Sequence, residues 1–214
     1  MENSSNNISR RGFIAAAGGV TLAITAYALY PTLSGKKGEK GVGESIKKQV
    51  NPWVHLQNDG QIPIYNPASE MGQGSMTALP VILAEELDAD WSKVRIETAP
   101  IDVETYGYSP WGGQKRMINV GSATIMGYYN SLRQAGAQAR YILLHSAAQH
   151  WSVPISELTT APSVVAHKSS GKKLSYGEIV DIIQVPETIP EIPADQLKAP
   201  ASFRLIGKVL PRYD

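Results

Sequence analysis

"SEMGQGSMTALPVILAEELDAD", residues 69–90, decides the fold of this chain. Its second half is a run of helix formers, so a helix is predicted over 77–90. Pro80 is compatible with that helix only if the start lies close before it, where N–H groups have no intrahelical acceptor in any case. Its first half carries Gly72-Gln73-Gly74-Ser75, small residues that turn a chain. Upstream, "WVHLQNDGQIPIYN" (53–66) is two alternating runs joined by Asn58-Asp59-Gly60, which is a hairpin signal. Pro63 lacks a ladder donor and is expected to put the second run at an edge or a bulge. Downstream, "SKVRIETAP" (92–100) alternates as a strand does. Strands on both sides of a helix define an α+β pattern.

The rest of the chain extends that pattern. Residues 99–119 form a long loop with Tyr106, Tyr108, Trp111 and Gly112-Gly113, a length that is usually functional inside a compact domain. "GSATIMGYYNSLRQAGAQARYILLHSAAQHW" (121–151) is the longest helical pattern. In it Ile125, Tyr128, Tyr129, Leu132, Ala135, Ala139, Ile142 and Leu143 recur at near-helical spacing. A hairpin is predicted around Ser169-Ser170-Gly171, then a short helix with Ser175 and Glu178 as a capping box. Residues 185–202 hold four prolines and read as extended chain. The expected fold is a single α+β domain of short antiparallel strands with two main helices, over residues 51–214.

Bulk properties exclude several functions. A net charge of +1 gives no electrostatic case for nucleic acid. With no cysteine, this chain forms no disulfide, thiolate metal site or cysteine nucleophile, and holds no ordinary iron–sulfur cluster. Of the four histidines only His145 and His150 are close, and five positions do not share a helix face well. No metal ligands and no catalytic residues are predicted.

The N-terminus reads as an address. "SRRGFIAAAGGVTLAITAYALY" (9–30) places Arg10-Arg11 before an apolar run and resembles the twin-arginine (Tat) export signal. The run at 13–30 is borderline against the roughly 20 residues that span a bilayer. Ala26-Tyr27-Ala28 has the small-x-small form of a cleavage site. Residues 1–30 are therefore expected to act as a signal or an inner-membrane anchor, with the periplasm as destination. The other reading is a plain anchor with incidental arginines. Residues 31–50, rich in Gly and Lys, read as a flexible linker.

Two predicted helix starts share a composition. One follows Met71-Gly72-Gln73-Gly74. The other follows Val120-Gly121-Ser122-Ala123-Thr124. A helix N-terminus offers unpaired N–H groups and about half a positive charge, which suits an oxyanion. Glycine allows close approach, and Ser or Thr adds a donor. Gln73 carries a donor and an acceptor, which suits a heterocycle. The same residues also make an ordinary capped turn.

Taken together, "PASEMGQGSMTALPVILAEELDADWSKVRIETAP", the glycine-rich loop, "NVGSATIMGYYNSLRQAGAQAR" and the tail "FRLIGKVLPRYD" resemble the xanthine oxidase and aldehyde oxidase family of molybdenum hydroxylases. The likeness is to the molybdopterin-binding large subunit of the isoquinoline 1-oxidoreductase type, which is Tat-exported. It implies a partial molybdopterin-binding domain. Met71, Gly72, Gln73 and Gly74 would approach the cofactor, with Val120, Gly121, Ser122 and Thr124 as further donors. The implied cofactor is molybdopterin cytosine dinucleotide. Implied partners are the remaining large-subunit domains, a small subunit with [2Fe–2S] clusters and a c-type cytochrome.

The family's Gly-Gly-Phe-Gly-like cofactor segment and its Gly-Glu-Pro segment with the general base are absent from these 214 residues. Gly112-Gly113 leads to Gln114-Lys115, and Gly177-Glu178 leads to Ile179. The chain alone is therefore expected to be inactive. Glu70 is expected to accept hydrogen bonds from nearby backbone rather than to replace that base. The alternative function is an exported, membrane-tethered binding module without chemistry.

Overall fold

The computed structural model describes residues 46–213. The twin-arginine segment and residues 31–45 of the expected linker lie outside the described residues. In chain order the elements are β1 (Lys47–Asn51), β2 (Val54–Gln57), β3 (Ile62–Asn66), α1 (Ser75–Leu87), β4 (Val94–Thr98), α2 (Val103–Tyr106), α3 (Thr124–Trp151), β5 (Leu158–Ala161), β6 (Val164–His167), β7 (Lys173–Ser175) and α4 (Tyr176–Ile179). The strands form one sheet in the order β1-β2-β3-β4 and a second in the order β5-β6-β7. The fold is α+β, with α1 and α3 the two main helices.

Alternation sets the first sheet against the helices. Val54, Leu56, Ile62 and Ile64 are buried beneath α1 and α3, whereas His55 and Tyr65 point the other way and are half-buried. Strands β1, β2 and β3 pair antiparallel. Strands β3 and β4 pair in parallel, from Ile62↔Val94 to Asn66↔Thr98, because α1 crosses between them. The carboxyl ends of these two strands therefore lie side by side, where the loop to α1 leaves the sheet.

Pro63 was expected at an edge or bulge, but β3 is an interior strand. The register explains its tolerance. Tyr65 N–H bonds Trp53 carbonyl at 2.9 Å, and Ala99 N–H bonds Asn66 carbonyl at 2.9 Å. Odd residues of β3 thus address β2 and even residues address β4. Pro63 removes one donor from the β2 side, where only Val54↔Ile64 remain in ladder register, and leaves the β4 ladder whole. A second difference is at the start. Lys47–Val50, assigned by sequence to the linker, already form β1, and Val50 is buried. Strand pairing uses backbone groups, so a lysine-rich stretch can supply them. Helix α1 also starts at Ser75, earlier than expected, which puts Pro80 beyond the first turn.

Helices α1 and α3 run parallel. Ala78 and Ile82 lie near Ile125 and Tyr129, Arg133 binds Glu86, and Arg140 approaches Glu86 and Asp88. Gly136 makes this packing close, since a Cβ there would collide with the Leu83 carbonyl. The tail is fixed by the end of α1. Fully buried Glu85 accepts from the N–H groups of Arg204 (2.9 Å), Leu205 (2.6 Å) and Ile206 (3.1 Å) and from Lys198 Nζ (3.2 Å). Glu86, equally buried, accepts from Arg133 Nε at 2.8 Å and Lys198 N–H at 3.1 Å. Asp88 pairs with Lys198 and accepts from Thr160. Burial of such carboxylates is tolerable only with this many donors.

Candidate functional site

The loop before α1 is folded by its own side chains. Gly72 and Gly74 take left-handed φ values of 93° and 82°, a region that a Cβ disfavours. Their conformation turns three N–H groups toward Glu70. Its Oε1 accepts from Gly72 (2.8 Å) and Gly74 (2.9 Å), and its Oε2 from Met76 (2.8 Å). Gln73 spans the same turn: Oε1 accepts from Met71 N–H at 2.6 Å, and Nε2 donates to Ser69 carbonyl and Ser75 Oγ, both at 2.7 Å. Glu70 therefore does what the sequence assigned to it. A carboxylate at this helix start also answers the dipole of α1.

The start of α3 is built differently. No side chain caps it, and its first turn holds no acidic residue. Gly121 and Ser122 both adopt positive φ, 59° and 55°. Ala123 N–H bonds Val120 carbonyl and Gly127 N–H bonds Ala123 carbonyl. The N–H groups of Thr124, Ile125 and Met126 have no acceptor among the described residues. Val120, Gly121 and Ser122 are exposed, while Thr124 is buried. Trp111 of the long loop stands over this turn, since a Cβ on Gly121 would lie 3.4 Å from Trp111 Cζ2. The two helix starts are thus not equivalent, as their compositions suggested. The first is closed by its own carboxylate, and the second presents free donors.

The two segments adjoin. Asn119 Nδ2 donates to Ser69 carbonyl at 2.9 Å, the acceptor that Gln73 also uses. Because α1 and α3 are parallel, their positive ends point the same way. A cleft of ≈ 440 Å³ lies beside the glycine loop and takes Ser69, Glu70 and Met76 into its wall, but none of Met71, Gly72, Gln73, Gly74, Val120, Gly121, Ser122 or Thr124. Sequence reasoning missed Ser69 and Asn119, whose contact spans fifty positions and has no local signature. Glu178 serves as half of the expected capping box, its carboxylate accepting from Ser175 N–H at 2.7 Å. Among the described residues no group of three or more His, Asp or Glu side chains is arranged to hold a metal ion, and no helix is long and apolar enough to cross a membrane.

Open N–H groups and an exposed hydroxyl at α3 suit phosphate oxygens, whereas the Gln73 amide is already bonded to Met71, Ser69 and Ser75. The α3 donor set thus fits a phosphate-bearing group. Residues 9–205 match the model of the molybdopterin cofactor-binding domain family, and the chain belongs to that family. It is similar to the isoquinoline 1-oxidoreductase subunit beta of Brevundimonas diminuta, with 39% identity over 97% of this chain and 30% of the relative. It is also similar to the membrane-bound aldehyde dehydrogenase [pyrroloquinoline-quinone] of Gluconacetobacter polyoxogenes, with 30% identity over 94% of this chain and 25% of that protein. Among solved structures, quinoline 2-oxidoreductase from Pseudomonas putida 86 aligns over 59% of this chain and 15% of its own, with TM-score 0.45 and 18% identity. The chain spans less than a third of the length of the curated relatives named here.

Proposed function

We propose that this chain is the cofactor-binding portion of a periplasmic molybdenum hydroxylase that oxidises aldehydes or N-heterocycles, and that it turns over only with further domains and subunits. The observation that carries this reading is the open start of α3, held against the self-capped glycine loop by the Asn119–Ser69 bond. The cofactor is molybdopterin cytosine dinucleotide. The N–H groups at the start of α3 and the Ser122 hydroxyl bind its phosphate oxygens, and Met71–Gly74, locked by their own hydrogen bonds to Gln73 and Glu70, form a rigid wall beside its heterocyclic part. When bound, the group supplies a two-electron oxidation that no side chain here performs. This chain's own part is to bind and orient. Glu70 keeps the loop rigid by holding its N–H groups, and it is already occupied in that task.

The relatives' length supports the need for partners. Those are the remaining large-subunit domains, a [2Fe–2S] small subunit and a c-type cytochrome as acceptor. Export through the twin-arginine route fits a protein that folds around a cofactor before crossing.

The test is metal content. The assembled protein, co-expressed with the missing domains and an iron–sulfur subunit, is assayed for molybdenum by mass spectrometry beside dye reduction with an aldehyde. Gln73→Ala should lower bound molybdenum several-fold, because truncation removes the bonds to Met71, Ser69 and Ser75 that fix the loop's shape. Full metal content in that variant would take the glycine loop out of the site and leave it a capped turn.

A further inference from the structure

We infer that the groove between the first turns of α1 and α3 and the chain at 205–212 is a docking site for the polypeptide that carries the missing large-subunit domains, through an apolar segment rimmed by acidic groups. The inference rests on the reading of this chain as one portion of a larger hydroxylase. The groove, of ≈ 390 Å³, is walled by Val81 and Ile82 of α1, Ile125 of α3, and Leu205, Ile206 and Leu210. Beside it the apolar surface continues into solvent. Val209 is fully exposed, Met126 is 73% exposed and Ile125 is 39% exposed. Single exposed apolar residues are ordinary, but a cluster of them around a groove marks an interaction surface.

Length, place and charge choose the occupant. The chain spans 30% and 25% of the relatives named above, so each of them carries much polypeptide beyond the matched part. The groove lies against the open helix start. Ile125 lines it and also holds one of the N–H groups of α3 that have no acceptor among the described residues. Arg212, at the far end of the groove lining, reaches the glycine loop, since a Cβ on Gly74 would lie 3.7 Å from its Nη2. A polypeptide seated here would therefore stand beside the open donors and shield them from water. The charged residues of the lining, Lys208 and Arg212, are both basic, and no Asp or Glu lines the groove. An apolar floor with a charged rim is the anatomy of a protein interface, and the sign of this rim selects an acidic partner.

The probe is the part of the Brevundimonas diminuta isoquinoline 1-oxidoreductase subunit beta that lies outside its match to this chain. It is produced as a separate polypeptide, and its affinity for the full chain is measured on a biosensor surface. Ala78→Trp, which fills the groove, should weaken the complex about tenfold or more, as obstruction of a buried anchor does. Lys208 is exposed, so Lys208→Glu leaves the core alone. It should weaken the complex several-fold, more so at low salt, and Lys208→Arg should bind as the parent does. Val185→Glu alters an exposed apolar residue that does not line the groove, and should leave the affinity unchanged. If the complex forms and both Ala78→Trp and Lys208→Glu bind as the parent does, the inference is overturned and the reading of the chain as part of a larger enzyme stands. If the parent chain binds no such polypeptide, both are overturned. A parent chain that is dimeric by light scattering, and that Ala78→Trp renders monomeric, would give the groove to a second copy and overturn the inference.

Discussion

The side chain of Asn119 donates to the backbone carbonyl of Ser69 at 2.9 Å, and Gln73 donates to the same oxygen at 2.7 Å. One carbonyl thus joins the glycine loop of α1 to the turn that opens α3. Asn119→Ala removes the link without touching the core. The bond is exposed, so the expected stability loss is about 1 kcal/mol or less. Affinity for inorganic pyrophosphate, measured by calorimetry on the full chain, should fall several-fold because the α3 turn loses its brace. Unchanged affinity would mean that the two segments act independently.

Glu70 closes one helix start and leaves the other to a ligand. Glu70→Ala should lower thermal stability by about 1–2 kcal/mol, the range for loss of a charged cap. It should also free the N–H groups of Gly72, Gly74 and Met76, so pyrophosphate should bind more tightly than to the parent chain. A variant that is destabilised and binds no better would show that the loop collapses rather than opens.

The carboxylates that hold the tail predict an acid transition. Burial, the largest influence on Glu85, acts to raise its pKa. The N–H groups of Arg204, Leu205 and Ile206, together with Lys198, outweigh it and hold the group below its ordinary value. For Asp88 burial again acts upward, and hydrogen bonds from Lys198 and Thr160 outweigh it with help from Arg140. Both folded values lie below the unfolded ones. Their stabilisation is therefore complete above the unfolded carboxylate range, about pH 4, and is lost as pH falls through the folded values. Limited proteolysis should release the tail from residue 198 onward only at lower pH. Glu85→Gln should cost about 3–5 kcal/mol at neutral pH. It should also flatten the acid dependence of the melting temperature.

Replacing Arg10 and Arg11 together by lysine should keep the protein in the cytoplasm, because lysine lacks the planar fork of donors that a guanidinium pair presents. Cell fractionation reads the result. Undiminished export would favour a plain anchor over the twin-arginine route.

Local chemistry made much of this protein legible. Asn58-Asp59-Gly60 marked the turn from β2, the long periodic run marked α3, and Ser175 with Glu178 marked a capping box, because each depends on residues a few positions apart. The role of Glu70 was legible for the same reason, since its donors lie within six positions. Tertiary structure decided what depends on distant partners. Pro63 sits inside a sheet because the partner on one side of β3 uses the residues that flank it. The strand β1 exists because β2 offers it a backbone ladder, although its own side chains read as linker. Glu85 and Glu86 are buried by donors far along the chain, on the tail more than a hundred positions later and, for Glu86, also at Arg133 of α3. The difference between the two helix starts is local, since Glu70 stands two to six residues before its donors at one and no acidic residue lies in the first turn of the other; what the fold added is the Asn119 bond that ties them together.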